Sequence, residues 1–212
     1  MAFLLKLNHE FMEILKLIES KLVLEGDRFA SMKYWSDWKG ASDAEKLLLR
    51  SIEEIPWRQD YIHMMGKKIP IPRLQNWFGV PGTSYTYSRI TIPALPFPKW
   101  MNALREEVQI ATGEVFNSVL VNYYRDGKDS NDWHSDDEKE LGTSPIIASI
   151  SLGAERIFHL RHKDSKEKIK INLLNGSLLL MGAGIQEYWQ HKLAKTAVSV
   201  GPRINFTFRN LM

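Results

Sequence analysis

The segment Arg203-Ile204-Asn205-Phe206-Thr207-Phe208-Arg209 alternates polar and apolar residues over the length of a full strand. Successive side chains of a strand point to opposite faces, so the four polar residues share one face and the three apolar residues share the other. Two arginines, an amide and a hydroxyl on one face suit a small dianion with a carboxylate at each end. The same alternation also fits the solvated face of an edge strand.

The composition is that of one globular domain without cysteine. The chain has 212 residues, a net charge of +3 and 44% hydrophobic residues, which is enough for a sizeable core. Such a charge is compatible with a polyanionic partner but does not require one. The lack of cysteine excludes disulfides, cysteine zinc sites and thiol nucleophiles.

The sequence contains no membrane or secretion signal. No apolar run reaches membrane-spanning length, and the apolar patch at residues 2–5 is far shorter than the core of a signal peptide. We therefore expect an intracellular protein that is not secreted, cytoplasmic in a bacterium and nuclear in a eukaryote. We also expect a monomer with no membrane partner.

Helical patterns dominate the first half of the chain and strand patterns the second. Apolar residues at spacings of three and four predict a helix over 3–24, and residues 26–42 are interpreted as a connector. A capping-box pattern at 42–45 predicts a second helix that ends before Pro56, and a third is predicted over 100–112. Predicted strands follow at 83–87, 118–124, 146–152, 156–160, 168–173, 177–181 and 197–208. Helices followed by many short strands predict an α+β fold with a sandwich or barrel.

The motif His134-Ser135-Asp136 predicts a metal site. In extended backbone, positions i and i+2 point the same way, so the imidazole and the carboxylate can converge. His191 directly precedes the strand that leads to Arg203, and it can supply a third ligand. Two histidines and one carboxylate leave coordination positions open, as in non-haem Fe(II) oxygenases. Taken alone, His134 and Asp136 also fit a surface pair of a histidine and an aspartate, which is the commoner case. The polar face of the 203–209 strand supports the metal site, because its arginines can anchor a cosubstrate that chelates the metal.

These residues together resemble the AlkB family of 2-oxoglutarate- and Fe(II)-dependent dioxygenases, most closely the members that repair duplex DNA. The resemblance covers roughly residues 42–211. Further matching stretches are Pro72-Arg73, Tyr85-Thr86-Tyr87-Ser88, Asn122-Tyr123-Tyr124-Arg125-Asp126-Gly127, Asp136-Asp137-Glu138 and Arg161-His162-Lys163-Asp164-Ser165.

The resemblance implies an architecture and an activity. Within a single domain, 1–212, it implies a double-stranded β-helix (jelly-roll) catalytic core at 114–212. A nucleotide-recognition lid with supporting helices would occupy 42–113, and residues 1–41 would form a helical extension. The implied function is DNA repair by oxidative demethylation of N-alkylated bases such as 1-methyladenine and 3-methylcytosine. Formaldehyde and succinate would be released.

The resemblance also implies a cofactor set and the residues that hold it. Fe(II) would be held by the catalytic residues His134, Asp136 and His191, and O₂ would take a remaining coordination position. The 2-oxoglutarate cosubstrate would be bound by six residues, with its two carboxylates divided between the arginines. These six are Asn122, Tyr124, Arg203, Asn205, Thr207 and Arg209.

For the base, the resemblance implies a pocket entered by flipping the damaged nucleotide out of the stack. Tyr85 and Tyr87 would stack on the flipped base, while Asp137 and Glu138 would contact its amino edge or order the pocket. Met65 aligns with a finger that fills the vacated stack, where the duplex-repair members carry an aromatic residue. Without the resemblance, an ordinary half-buried strand is the preferred interpretation of Tyr85 and Tyr87. The alternatives for the other residues are solvated loop acids and a methionine packed in a lid.

For the rest of the substrate, the implied contacts are basic. Arg73 belongs to a matching stretch, and Arg161 and Lys163 belong to a basic hairpin expected to contact phosphates. A solvated hairpin is the alternative. The expected partner is alkylated DNA, single- or double-stranded, with RNA or protein as alternative substrates of the same chemistry. A non-catalytic binder of damaged DNA is a further alternative, against which the intact triad and both arginines argue.

Overall fold

The structure is a computed structural model that describes residues 17–23, 29–64, 66–82, 84–87 and 90–212. For residues 17–23, 29, 64, 84–87 and 90–93 it describes the backbone alone. Within the described residues, no helix is long and apolar enough to cross a membrane.

Strands make up most of the described elements. The helices are α1 (Ala41–Glu54), α2 (Lys99–Thr112) and the short α3 (Ile185–Tyr188), with a 3₁₀ turn at Lys139–Leu141. The strands are β1 (Leu17–Val23), β2 (Phe29–Trp35), β3 (Tyr61–Met64), β4 (Lys67–Pro70), β5 (Leu74–Gly79), β6 (Ser84–Tyr87), β7 (Ile90–Pro93), β8 (Leu95–Pro96), β9 (Ser118–Tyr124), β10 (Asn131–His134), β11 (Ile147–Gly153), β12 (Arg156–His162), β13 (Lys168–Leu173), β14 (Ser177–Met181), β15 (Trp189–Leu193) and β16 (Arg203–Arg209).

Two sheets pack face to face as the sandwich of a jelly-roll core. The large sheet has the order β1-β2-β14-β11-β16-β9-β5-β8, and the small sheet has the order β10-β15-β12-β13. All pairs within these two sheets are antiparallel except β5 with β8, and two separate hairpins are formed by β3-β4 and β6-β7. The jelly-roll expected from the family resemblance is therefore present.

The sandwich has two apolar layers, one on each side of the large sheet. On the outer side, alternate residues of β9, β11 and β16 pack with α1 and α2 around Phe206 and Phe208. On the inner side, residues of both sheets pack around Trp189 and Leu160 at one end of the sandwich. The inner face of β16 is thus left to polar residues at the other end, which is where the site lies.

The predicted helix over 3–24 is wrong over residues 17–23, where the structure has β1. The predicted connector over 26–42 contains β2, so β1 and β2 form most of the described part of the expected helical extension. Residues 1–16 lie outside the described part of the chain. Strand β2 pairs with both β1 and β14, and these non-local hydrogen bonds override a local helical pattern.

Most other predicted elements are confirmed. Three strands have the predicted bounds, at Ser118–Tyr124, Lys168–Leu173 and Ser177–Met181. Helix α1 ends as predicted, but the capping box is wrong because Gly40 is the N-cap and no side chain caps the helix. The predicted strand over 197–208 begins only at Arg203, and β15 was not predicted. The domain divisions at residues 42 and 114 stay predictions.

A buried carboxylate fixes the loop between β9 and β10. The side chain of Asp129 accepts hydrogen bonds from the Arg125 guanidinium at 2.7 and 2.9 Å and from its backbone N–H at 2.9 Å. Buried Arg156 donates to the Asp129 and Asp126 carbonyl oxygens at 3.0 and 3.2 Å. This loop leads directly into the strand that ends at His134, so these bonds position the metal motif.

We expect Asp129→Asn to lower the free energy of unfolding by about 1 kcal/mol at pH 7. Burial raises the pKa of Asp129, but the Arg125 bonds outweigh this and leave the pKa below its usual value. A carboxyl group whose pKa is lowered by folding stabilises the folded state at pH values above its pKa in the unfolded chain. This stabilisation is lost as the pH falls through the pKa of the folded state. The difference should therefore shrink at strongly acidic pH in urea melts. Asp43→Asn, in an exposed pair with Lys46, is the control. An equal effect of both variants would contradict this role.

Candidate metal centre and anion pocket

The metal motif is brought together by two neighbouring strands of the small sheet. His134, the last residue of β10, lies opposite His191 of β15 in the antiparallel register, after an irregularity between Asn131 and His134. Asp136 follows two residues later. One potential ligand atom from each of His134, Asp136 and His191 lies within 4.8 Å of the others. The three residues predicted as ligands therefore converge.

The histidines present their Nε2 atoms to a common point. His134 Nε2 lies 3.1 Å from His191 Nε2 and 3.7 Å from Asp136 Oδ1. His134 Nδ1 lies 2.7 Å from the Asp132 carbonyl oxygen. A carbonyl oxygen can only accept a hydrogen bond, so Nδ1 carries the proton and Nε2 keeps its lone pair, toward which Asn131 Nδ2 donates at 3.1 Å. This is the tautomer that a metal ligand requires.

Burial and the local charges favour the metal-binding forms of Asp136 and His191. Burial alone would raise the pKa of Asp136, but attraction to Arg209, His191 and His134 lowers it to about 2. Burial, together with His134, lowers the pKa of His191 to about 3. An ionised carboxylate and a neutral imidazole are the forms that bind a metal. The His-Asp-His triad therefore fits iron in both its donor set and its protonation.

Next to the triad, the inner face of β16 forms a polar row. In the register of the large sheet, Asn205 lies between Asn122 of β9 and Ser151 of β11. Arg203 lies opposite Tyr124, and its guanidinium carbon is 5.2 Å from the centre of the Tyr124 ring. The alternation along β16 thus places its polar residues inside the sandwich, and the edge-strand alternative is wrong.

Arg203 is a buried cation that pairs with no carboxylate among the described residues. It is 2% exposed, and burial lowers its pKa to about 10. Its Nη2 donates to Ser151 Oγ at 2.9 Å, whereas its buried Nε has no hydrogen-bond partner among the described residues. A buried charge is costly unless it is paired. A carboxylate from a bound diacid would supply the missing pair.

Asn205 and Thr207 have their donors committed to the protein. Asn205 Nδ2 donates to Ser149 Oγ and to the Ile150 carbonyl oxygen, both at 2.8 Å. Thr207 Oγ1 donates to Asn205 Oδ1 at 2.9 Å. In this arrangement neither side chain has a donor left for a carboxylate, and their mutual bonds stiffen the pocket. The Nε–H of Arg203 remains without a partner among the described residues.

Arg209 is coupled to the metal triad. Its Nη2 donates to Asp136 Oδ2 at 2.9 Å, and both side chains are almost fully buried. The backbone of Asp136 is held separately, because the Asp136 N–H donates to Gln186 Oε1 at 3.0 Å. Arg209, the last residue of β16, thereby connects this strand to the triad.

A cavity of about 750 Å³ joins these groups. Its walls include the triad, the polar row of β16, the β9 residues Asn122 and Tyr124, and Asp60, which directly precedes β3. Drug-sized ligands occupy pockets of about 300–1,000 Å³. The cavity therefore has room for a small diacid together with a second, larger group.

The residues predicted to contact substrate lie around this cavity in different ways. Arg73 is buried, donates to Asn122 Oδ1 at 2.8 Å and lines the cavity. Glu138 also lines the cavity. Asp137 is exposed and lies 3.7 Å from Lys163 Nζ, which itself donates to the Gln186 carbonyl oxygen at 3.0 Å.

Two groups of predicted contacts fall elsewhere. Arg161 is on the outer surface of the small sheet, where it donates to Gln190 Oε1 at 3.0 Å. Tyr85 and Tyr87 belong to β6, but their side chains lie outside the described residues, and so does Met65. Their roles stay predictions.

Several residues that shape the site were not predicted. Gln186, which is 1% exposed, holds the backbone of Asp136. Ser149 and Ser151 accept hydrogen bonds from Asn205 and Arg203. The serines could have been found, because they alternate with apolar residues along β11 as the polar residues do along β16. The sequence contains no comparable signal for Gln186.

Comparison with known proteins points to one family. The sequence profile of the 2OG-Fe(II) oxygenase superfamily matches residues 31–209. The alpha-ketoglutarate-dependent dioxygenase alkB homolog 3 of Mus musculus is 41% identical over 181 residues, covering 80% of this chain and 62% of the relative. The human DNA oxidative demethylase ALKBH2 is 35% identical over 184 residues, covering 82% of this chain and 70% of the relative.

The chain thus spans about three fifths of the length of the alkB homolog 3 relatives. A solved structure described as that of OsALKBH1 has the same fold, with a TM-score of 0.61 and 15% identity over 90% of this chain and 100% of the other. Fe(II) and 2-oxoglutarate are the cofactors in the superfamily's name, and both the triad and the buried arginine suit them. The chain belongs to the 2OG-Fe(II) oxygenase superfamily and, within it, to the AlkB family.

Proposed function

We propose that this protein is a dioxygenase that oxidatively demethylates N-alkylated nucleic-acid bases of the 1-methyladenine and 3-methylcytosine type. The observation that carries the proposal is the meeting, in one cavity, of His134, Asp136 and His191 with the buried cation Arg203. Two relatives point the same way, because they are named as an alkB dioxygenase and as a DNA oxidative demethylase.

In this proposal, each side chain of the site has a distinct task. His134, Asp136 and His191 hold Fe(II), with Asp132 fixing the His134 tautomer and Arg209 keeping Asp136 ionised. When bound, Fe(II) with O₂ and 2-oxoglutarate supplies the oxidation of an N-methyl group to hydroxymethyl, which leaves as formaldehyde, while 2-oxoglutarate becomes succinate and CO₂.

The diacid would be held mainly by Arg203. Its Nη2 is occupied by Ser151, so the guanidinium is fixed in orientation, and the remaining edge can pair with a carboxylate. Tyr124 packs on the guanidinium, and the network of Asn205 and Thr207 supports the wall beneath. A preformed, buried binding edge of this kind lowers the ordering cost of binding.

The base would enter the cavity from the side of the lid. A methyl group on the pairing edge weakens base pairing, so a damaged base leaves the stack at a lower cost. Tyr85, Tyr87 and Glu138 are the proposed base contacts, and Met65 the proposed wedge. We place this activity inside the cell, on DNA, with RNA as the second candidate because it offers the same methylated bases.

A direct test is turnover on defined oligonucleotides. With Fe(II), O₂ and 2-oxoglutarate, we expect equal amounts of succinate and demethylated base from a strand containing 1-methyladenine or 3-methylcytosine. His134→Ala should reduce both products at least 100-fold, because a metal ligand is removed. Turnover on matched methylated DNA, methylated RNA and methylated peptide distinguishes DNA from the alternative substrates. Absence of any succinate that depends on a methylated substrate would refute the proposal.

The metal assignment is testable without turnover. We expect His191→Ala to abolish measurable binding of Co(II), used as an oxygen-stable probe, in calorimetric titrations. His159→Ala removes a histidine from the outer face of the same sheet and should leave the affinity within about 2-fold. Equal affinities of the two variants would place the metal elsewhere.

Arg203 should control cosubstrate affinity. Replacing it by methionine removes a charged hydrogen-bond partner, which is worth about 1.5–3 kcal/mol. We expect the KM for 2-oxoglutarate to rise about 10- to 100-fold, while Co(II) affinity stays near that of the wild type. A KM unchanged by Arg203→Met would remove this arginine from the diacid site.

A further inference from the structure

The three side chains of the metal triad are held in place by different means. His134 and His191 lie on paired strands of the small sheet, so the sheet fixes both imidazoles. Asp136 lies in the segment 135–138, which has no regular secondary structure and which we call the metal loop. Arg209 holds the Asp136 carboxylate, but the course of the metal loop depends on contacts with other elements.

Helix α3 and the residue that follows it hold the metal loop from one side. The Asp136 N–H donates to Gln186 Oε1 at 3.0 Å, and Ser135 Oγ donates to the Trp189 carbonyl oxygen at 3.0 Å. A backbone N–H needs an acceptor, so the amide oxygen of Gln186 faces Asp136 while its amide nitrogen faces Met181 Sδ, at 3.6 Å. Gln186 and Trp189 are almost fully buried. Two consecutive residues thus attach the metal loop to α3 and its end.

Lys163, in the turn after β12, holds α3 in its turn. Its Nζ donates to the Gln186 carbonyl oxygen at 3.0 Å, and its backbone N–H donates to the Tyr188 carbonyl oxygen at 2.8 Å. The last carbonyl groups of a helix have no partner within the helix, and a lysine near the C-terminus can satisfy them. Because α3 has only four residues, Lys163 supplies partners that the helix itself lacks.

The turn that carries Lys163 is itself fixed. His162 Nδ1 accepts hydrogen bonds from the backbone N–H groups of Asp164 and Ser165, at 3.3 and 3.0 Å. The His162 ring packs edge-on against Trp189, with 5.1 Å between the ring centres. Lys163 therefore starts from a well-held backbone, and its contact with α3 belongs to the framework of the protein.

A surface ion pair does not account for the position of Lys163. Its Nζ lies 3.7 Å from Oδ2 of Asp137, whose side chain is 64% exposed, and such exposed pairs contribute little to stability. The bond to the Gln186 carbonyl oxygen is shorter and partly buried. Both contacts draw the ammonium group of Lys163 toward the metal loop and α3.

We propose that Lys163 and Gln186, which we call the α3 clamp, are positioning residues of the metal centre. Gln186 sets the position of the Asp136 backbone, and Lys163 sets the position of Gln186. Without the clamp, Asp136 keeps its bond to Arg209 but loses its fixed placement relative to the two imidazoles. Groups that orient a metal ligand in this way change metal affinity about 10- to 100-fold when they are removed. The inference concerns the metal centre alone and does not depend on the substrate.

Calorimetric titration with Co(II) tests the clamp without turnover. Gln186→Met removes the acceptor with little change in volume, and we expect Co(II) affinity to fall about 10-fold. Lys163→Met removes a hydrogen bond one step further away and should lower the affinity about 5-fold, whereas Lys163→Arg keeps a donor and should stay near the wild type. The control Lys168→Met removes the same charge from an exposed position on the same hairpin and should keep the wild-type affinity.

The double variant decides whether both residues act along one path. If Lys163 acts through Gln186, then Gln186→Met/Lys163→Met should bind Co(II) within about 2-fold of Gln186→Met alone. The visible absorption bands of bound Co(II), which respond to the geometry of its ligands, should shift in the same direction in all three clamp variants. If Gln186→Met does not fold in circular dichroism melts, Lys163→Met and Lys163→Arg carry the test.

Three outcomes would overturn the proposal: wild-type Co(II) affinity in the clamp variants, an equal loss in Lys168→Met, or losses that multiply in the double variant. Binding of an unmethylated 15-nucleotide single strand separates the clamp from a phosphate contact. Lys163→Met should keep the wild-type slope of log Kobs against log salt. A slope shallower by about 0.7, together with wild-type Co(II) affinity, would make Lys163 a phosphate contact instead.

Discussion

The two-faced alternation of β16 is the constraint on which the rest of the structure depends. Its apolar face, with Phe206 and Phe208, forms the layer that receives α1 and α2. Its polar face can then lie only inside the sandwich, where Arg203 and Arg209 are buried. A slip of one residue in register would exchange the two faces, so burial of the phenylalanines also fixes the position of the arginines.

Arg203 and Arg209 have different electrostatic surroundings. Arg209 pairs with Asp136 and becomes part of the framework of the metal centre. Arg203 has Ser151 as a neutral acceptor and keeps a buried charge that no described carboxylate compensates. An uncompensated buried charge destabilises a fold, and it is retained where a ligand supplies the counter-charge. We therefore propose that Arg203 contributes most of the free energy of diacid binding, with Asn205 and Thr207 as its support.

The sequence predicted those features that have a local pattern. The alternation along β16 identifies its two faces, and the spacing of His134 and Asp136 identifies a pair of ligands. Gly113 ends α2 as predicted, in the left-handed region that favours glycine, at a φ of 77°. The sequence does not reveal features that arise from distant partners. Strands β1 and β2 form because β14 accepts β2, and Gln186 reaches Asp136 across 50 positions. No local period encodes either relation.

We propose that one ferrous ion binds to His134, Asp136 and His191 beside a diacid on Arg203. A crystal grown without oxygen, with Mn(II) in place of Fe(II) and with 2-oxoglutarate, tests it most directly. We predict one anomalous peak within bonding distance of both Nε2 atoms and an Asp136 oxygen, with a 2-oxoglutarate carboxylate against the Arg203 guanidinium. A peak elsewhere, or an Arg203 guanidinium without a carboxylate in the presence of bound metal, would contradict the account.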